Sequence, residues 1–65
     1  MKVTVNNQIV ETLAENLQQL TEQLTLPAAG VAVAVNNRMI PRTEWAQQLI
    51  HEGDSIVIIK AVCGG

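Results

Sequence analysis

The residues with the clearest chemical potential are the last three, Cys63, Gly64 and Gly65, which combine a thiol, two positions without a Cβ and a carboxylate. Because average glycine usage is about 7%, a terminal pair has a chance frequency of roughly half a percent. Glycine allows close backbone approach, so such a tip can enter a channel that any side chain would block. We therefore expect Gly64 and Gly65 to thread into a partner's active site, with the Gly65 carboxylate as the modified group.

A carboxylate becomes a good electrophile only when one of its oxygens is made a leaving group, and adenylation by ATP does this. The chain has no phosphate-binding glycine-rich loop, since its four glycines are scattered or terminal. We therefore expect no bound cofactor, and ATP has to be used by a separate activating enzyme. Nothing in the chain could carry out this activation alone. The alternative is that the glycines are an ordinary chain end without a function.

Cys63 is a candidate accessory thiol, because a thiol can exchange sulfur or form a disulfide with a neighbouring carboxyl group that carries sulfur. The competing interpretation is a solvated, dispensable side chain. A single cysteine cannot form an internal disulfide, which fits a reducing compartment and predicts a cytoplasmic protein. One cysteine and one histidine, His51, also predict no metal site and exclude an iron–sulfur cluster.

Charge and hydropathy exclude two classes of partner. The net charge is −2 and Trp45 is the only aromatic residue, so neither a phosphate-binding patch nor a base-stacking surface is expected. The longest apolar stretch is interrupted by Pro27 and Gly30 and is far shorter than the roughly 18 residues of a membrane span. We expect protein partners, with no nucleic acid and no membrane.

The sequence predicts that these terminal residues follow a small sheet with one long helix. Val3 and Val5 alternate with polar residues, and Asn6-Asn7 offers a turn before "QIVE", which indicates a first hairpin. A helix is then predicted from about Thr12 to about Thr25. Thr12 and Glu15 have the capping-box spacing, Pro27 ends the segment, and the apolar stripe is Leu13, Leu17, Leu20 and Leu24.

A second hairpin is predicted by the valines of "VAVAV", the Asn36-Asn37 turn and "RMI". After Pro41, "TEWAQQLI" fits one or two helical turns with Trp45 and Leu49 on one side. Gly53-Asp54 then reverses the chain into a last strand, "SIVIIKAV". Its nearly continuous apolar run predicts a central strand that is covered on both faces.

The order of these elements predicts an α+β fold of the ubiquitin-like β-grasp type, a mixed sheet with the long helix packed across it. We expect a domain over residues 1–62 and a flexible C-terminal tail over residues 63–65. The leucine stripe is expected to pack against the sheet residues Val3, Val5, Val33, Val35, Ile56 and Ile58.

With "VNNRMIPRTEW" and "EGDSIVIIKAVCGG", the chain resembles the sulfur carrier proteins of thiamine biosynthesis, the ThiS family, over essentially its full length. The resemblance implies that a ThiF-like activating enzyme adenylates Gly65. A persulfide sulfur, from a donor such as a cysteine desulfurase, would then displace AMP and leave a thiocarboxylate. A ThiG-like thiazole synthase would take that sulfur. On this resemblance the chain is a co-substrate and not an enzyme. The small subunit of molybdopterin synthase, a protein modifier and a plain β-grasp binding module remain alternatives.

Several other residues are candidates for contacting a partner or for shaping the fold. An apolar patch near the tail, formed by Val57, Ile59 and Val62, is a candidate docking surface. Trp45 is expected to be a packing residue, and Arg42 and Lys60 to be solvated charges that contact a partner only as the less favoured alternative. His51 is expected to be exposed, while Asp54, Asn36 and Asn37 are expected to shape turns.

Overall fold

The structure is a computed structural model that describes residues 1–26 and 30–60. Within these ranges the chain forms five strands, an α-helix and a short 3₁₀ helix at Arg42–Glu44. The strands and the helix are, in chain order, β1 (Lys2–Val5), β2 (Gln8–Glu11), α1 (Leu17–Gln23), β3 (Val31–Val35), β4 (Arg38–Ile40) and β5 (Ser55–Lys60).

The strands form one mixed sheet in the order β2-β1-β5-β3-β4. β1 and β5 are parallel, whereas the other three neighbouring pairs are antiparallel. The last strand therefore lies in the middle of the sheet, as predicted, and α1 packs across it. This is the ubiquitin-like β-grasp arrangement that the order of elements predicted.

Both hairpins turn through an Asn-Asn pair with a left-handed backbone. The φ angles are 51° and 69° at Asn6 and Asn7, and 51° and 70° at Asn36 and Asn37. A two-residue hairpin loop matches the twist of its strands when both central residues have positive φ, which asparagine tolerates better than most residues. The two predicted turns are confirmed.

The core lies between α1 and the inner face of the sheet. Leu17 and Leu20 are completely buried, as are Val33 and Ile56 from the two central strands. Val5 and Ile58 are partly buried and pack against the same cluster, so the predicted contact surface of the helix is confirmed. The cluster consists of Val3, Ala14, Leu17, Leu20, Val33, Val35, Ile40, Trp45, Ile50 and Ile56.

The helix begins later than the sequence predicted. Its N-cap is Asn16, whose Oδ1 accepts a hydrogen bond from the Gln19 amide at 2.8 Å, and Gln19 Oε1 accepts from the Glu15 amide at 2.7 Å. Thr12 instead continues the first hairpin, since its amide donates to the Met1 carbonyl at 2.8 Å. The predicted capping box at Thr12 and Glu15 is therefore wrong, because the same spacing recurs four residues later at Asn16 and Gln19.

Two leucines that the sequence placed on buried helical faces are exposed. Leu13 precedes the helix and is 94% exposed. Leu49 is 57% exposed although Trp45 is buried, so the prediction that they share one side is also wrong. The amides of Gln47 and Gln48 bond three residues back, to Glu44 and Trp45. Leu49 lies beyond these turns, where the chain forms an isolated β-bridge with Asn16. In this extended segment successive side chains point to opposite sides, so Leu49 is exposed and Ile50 is buried.

In the described ranges, 1–26 and 30–60, no helix combines the length and the hydrophobicity needed to cross a membrane.

Truncating Leu20 should destabilise the protein far more than truncating Leu13, although both belonged to the predicted stripe. We expect Leu20→Ala to lower the free energy of unfolding by about 2–5 kcal/mol, because a cavity forms in the core. Leu13→Ala should change it by less than about 0.5 kcal/mol. Urea denaturation followed by circular dichroism measures both values. Equal losses would show that α1 begins before Leu13 and buries it.

Candidate functional site

The sheet face opposite α1 carries a continuous set of small and apolar side chains, which we call the open sheet face. The strand register aligns Ala34 with both Val57 and Met39, and Ala32 with Ile59. These residues alternate along their strands with the buried core positions, so they project to the opposite side. The open sheet face consists of Ala32, Ala34, Met39, Val57 and Ile59.

The prediction that β5 is covered on both faces is wrong. Ile56 is completely buried against the helix, whereas Val57 and Ile59 are 37% and 55% exposed. The helix that the described residues form packs on one side only, so none of residues 1–26 and 30–60 forms a second layer over the other face of β5. A group of neighbouring exposed apolar residues is typical of a protein interaction surface. This fits the predicted docking role of Val57 and Ile59.

Sequence reasoning missed Met39 as a member of this face. Met39 lies in β4 and is 57% exposed, while its neighbour Ile40 is buried. The alternation in "RMI" is the signal that could have found it, because successive strand residues point to opposite faces. Flexible methionine side chains are common at surfaces that adapt to a partner.

The open sheet face includes two residues of β5, the strand that precedes the terminal glycines in the sequence. β5 is described as far as Lys60, and five residues follow it in the sequence. A fully extended segment of that length reaches roughly 17 Å at 3.3–3.6 Å per residue. Val62, Cys63, Gly64 and Gly65 lie outside the described residues, so the predictions for them, and for the division into residues 1–62 and 63–65, stay predictions.

The beginning of β5 is held by a cluster of turn residues. Asn36 Oδ1 accepts a hydrogen bond from the Ser55 amide at 2.9 Å, and Asn36 Nδ2 donates to Asp54 Oδ1 at 3.1 Å. Asp54 Oδ2 in turn accepts from the His51 amide at 2.8 Å. Gly53 adopts the positive φ of 86° that this reversal requires. Asn36 and Asp54 therefore shape turns, as predicted.

Trp45 is a core residue, as predicted. It is buried, and its indole Nε1 donates to the Ile40 carbonyl oxygen at 2.9 Å. The Arg42 guanidinium carbon lies 4.4 Å from the centre of the indole ring, within the range of a cation–π contact. Arg42 is thus bound to its own domain through this ring.

The remaining ionisable candidates do not form a reactive cluster. The His51 side chain is exposed, with Nδ1 3.8 Å from Asp54 Oδ2, and Lys60 is exposed at the end of β5. Residues 1–26 and 30–60 contain no group of three or more His, Cys, Asp or Glu side chains that could hold a metal ion.

The sequence model of the ThiS family matches residues 2–65. The chain belongs to the ThiS family. It is 35% identical over 66 residues to the sulfur carrier protein ThiS of Escherichia coli K12, and the alignment covers both chains completely. The match confirms the family that the sequence motifs indicated, and it includes the terminal Gly64 and Gly65.

Solved structures of another relative share the fold. The crystal structure of a thiamine biosynthesis protein (ThiS) from Geobacter metallireducens superposes with a TM-score of 0.83 at 26% identity, and both chains are covered completely. A solution structure of a thiamine biosynthesis protein from the same organism gives a TM-score of 0.80 at 25% identity, with all of this chain and 88% of that one covered.

Replacing Trp45 by phenylalanine should show how much its buried hydrogen bond contributes to the stability of the fold. Phenylalanine keeps an aromatic ring in the core but leaves the Ile40 carbonyl without the indole donor. We expect the free energy of unfolding to fall by about 1–3 kcal/mol. Urea denaturation followed by circular dichroism gives this value. An unchanged free energy would contradict a packing role for Trp45 in the core.

Proposed function

We propose that this protein is a sulfur carrier of thiamine biosynthesis whose Gly65 carboxylate is converted to a thiocarboxylate. The observation that carries the proposal is the family match over residues 2–65, which spans the domain and the Gly-Gly end together. The relative that is 35% identical over its full length bears the name of a sulfur carrier. On this proposal the chain is a co-substrate that is charged and discharged by other proteins.

Charging takes place in three balanced steps. A Gly65 carboxylate oxygen attacks the α-phosphorus of ATP, pyrophosphate leaves, and a mixed anhydride with AMP forms. The terminal sulfur of a persulfide then attacks the Gly65 carbonyl carbon, and AMP leaves with the electron pair of its bond. Finally a second thiol reduces the S–S bond of this acyl persulfide, which leaves the thiocarboxylate and a disulfide.

These steps need groups that the partners supply. The activating enzyme, which we expect to be ThiF-like, binds ATP and polarises the phosphate. The persulfide comes from a donor such as a cysteine desulfurase, and the acceptor is a ThiG-like thiazole synthase. We place all of these encounters in the cytoplasm. The chain contributes a carboxylate that can reach a buried active site and a surface that the partners recognise.

We assign that recognition to the open sheet face. Its exposed side chains, Val57, Ile59 and Met39, are apolar, and burying them against a partner removes apolar surface from water. The centre of an interface is more apolar than the rest of the protein surface, and methionine is enriched there. The face includes residues of β5, the strand that leads to the tail, so docking there brings the tail toward the partner's active site. Val62 extends the same proposal toward the tail.

Intact mass spectrometry tests the charging reaction. Incubation with ATP, the cognate activating enzyme and a persulfide donor should increase the mass by the difference between one sulfur and one oxygen. Removing Gly65 should abolish the shift. Cys63→Ala should be charged at the wild-type rate if its thiol is dispensable.

The activating enzyme must be shown to charge another carrier in the same preparation. If it does so and this protein keeps its mass, the sulfur-carrier proposal is wrong and the binding-module alternative replaces it. A shift that survives removal of Gly65 but is lost in Cys63→Ala would place the sulfur on the cysteine.

A charge on the open sheet face should impair docking without unfolding the domain. We expect Ile59→Asp to raise the KM of adenylation roughly tenfold or more, because a carboxylate would be desolvated at an apolar interface. Leu13→Asp is the matched control: it introduces the same charge at a more exposed leucine outside this face, and its KM should stay within about twofold. Steady-state pyrophosphate release measures both. Similar KM values for the two variants would exclude the open sheet face as the docking surface.

A further inference from the structure

The Asn6 side chain forms hydrogen bonds with β5 like those that a peptide group of a neighbouring strand would form. Its Oδ1 accepts a hydrogen bond from the Ile58 amide at 2.8 Å, and its Nδ2 donates to the Ile58 carbonyl at 3.3 Å. The Asn6 backbone amide donates to the Ile56 carbonyl at 2.9 Å. A carboxamide has the same donor and acceptor as a peptide group, so it can continue a ladder where the main chain turns away.

This contact lengthens the attachment of β5 on one side. Toward β3, β5 remains paired as far as Lys60. Toward β1, the paired residues end at Val5 and Ile56, because the chain reverses at Asn6 and Asn7. The Asn6 carboxamide moves the last attachment on this side forward from Ile56 to Ile58. Ile58 is therefore the last described residue of β5 that is held from both sides.

We propose that Asn6 is a positioning residue for the reactive end of the chain. By attaching Ile58, it leaves seven residues between the last two-sided attachment and the end of the sequence at Gly65, whereas attachment at Ile56 alone would leave nine. Without this attachment, residues 57–60 would be held by β3 alone. A strand end that is paired on one side only opens locally more readily, and this motion adds backbone entropy that docking in a narrow channel must remove. This inference rests on the proposed function, because it concerns delivery of the Gly65 carboxylate to an activating enzyme.

The turn signal alone does not explain these hydrogen bonds. Asn7 has the same left-handed backbone as Asn6, and glycine would satisfy both positions without a side chain. The Asn6 carboxamide also borders a surface cleft between the end of α1 and β5, whose lining includes Leu24, Leu26 and Lys60. Asn6 therefore joins the first hairpin to the part of β5 from which the chain leaves the described fold.

The second hairpin provides a matched control within the same chain. Asn36 has the same φ as Asn6, 51°, and its Oδ1 accepts from a β5 amide at nearly the same distance, 2.9 Å. That amide belongs to Ser55, at the opposite end of β5 from the tail. Loss of Asn36 should therefore weaken the fold as loss of Asn6 does, but it should leave the last attachment at Ile58 intact.

The test compares Asn6→Gly with Asn36→Gly in the full chain, because glycine keeps each turn and removes only the carboxamide. Both should lower the urea midpoint to a similar extent. We expect Asn6→Gly to raise the KM of adenylation about three- to tenfold with kcat within twofold, and Asn36→Gly to leave KM within twofold. Asn6→Asp, which keeps the oxygen that accepts from Ile58, should have a KM closer to wild type than Asn6→Gly.

Equal KM values for the two glycine variants, or an unchanged KM for Asn6→Gly, would overturn the proposal. Amide hydrogen exchange gives a readout that needs no activating enzyme. The exchange rates are first corrected for the global opening of each variant. Exchange at Ile58 and Ile59 should then be at least tenfold faster than in wild type for Asn6→Gly, and within threefold of wild type for Asn36→Gly. If the wild-type protein is not adenylated, the proposed function is wrong. Unchanged amide exchange in Asn6→Gly would separately show that Asn6 does not hold Ile58.

Discussion

The structure depends on one packing constraint: among the described residues, α1 covers one face of the sheet and no element covers the other. Leu17 and Leu20 pack against the inner face with Val3, Val33 and Ile56, and these five residues are half of the core cluster. A domain of 65 residues buries a smaller share of its surface than a large one, so it has little more than this layer to stabilise it. The apolar outer side chains of β5, Val57 and Ile59, are consequently exposed.

The central position of β5 connects this packing with the proposed chemistry. β1 pairs with it in parallel and β3 in antiparallel, so the strand that precedes the terminal residues is held from both sides. A strand fixed in the middle of a sheet moves little relative to the docking surface that it carries. On the proposed function, an activating enzyme would recognise this rigid body while it acts on the short segment that follows β5. The reactive groups for activation would then come from the partner.

The sequence predicted the features that few residue types can satisfy. Two Asn-Asn pairs were predicted to be hairpin turns because positive φ at both central positions excludes most residues. The beginning of α1 was missed because Thr12-Glu15 and Asn16-Gln19 present the same capping signal, and only the pairing of Thr12 with Met1 decides between them. Leu49 was misplaced because the helical turns end before it, and it lies in an extended segment that forms a bridge with Asn16.

For the candidate site, the sequence predicted a docking surface at Val57, Ile59 and Val62, yet it also predicted cover on both faces of β5. The two predictions disagree because hydrophobicity along a strand does not show whether the second face meets the same chain or another one. The contact between Asn6 and Ile58 could not be predicted, since the turn alone already accounts for an asparagine at that position. The contact between Asn6 and Ile58 depends on how far β5 extends past the end of β1.

The central claim is that the carried sulfur resides on the Gly65 carbonyl carbon, and tandem mass spectrometry of the C-terminal peptide tests it most directly. After charging with ATP, the activating enzyme and a persulfide donor, we predict that fragments containing Gly65 have one oxygen replaced by sulfur, and that fragments ending at Cys63 or Gly64 are unchanged. Extra sulfur on the fragment that ends at Cys63, with an unaltered Gly65, would mean that the cysteine is the carrier and would contradict the account.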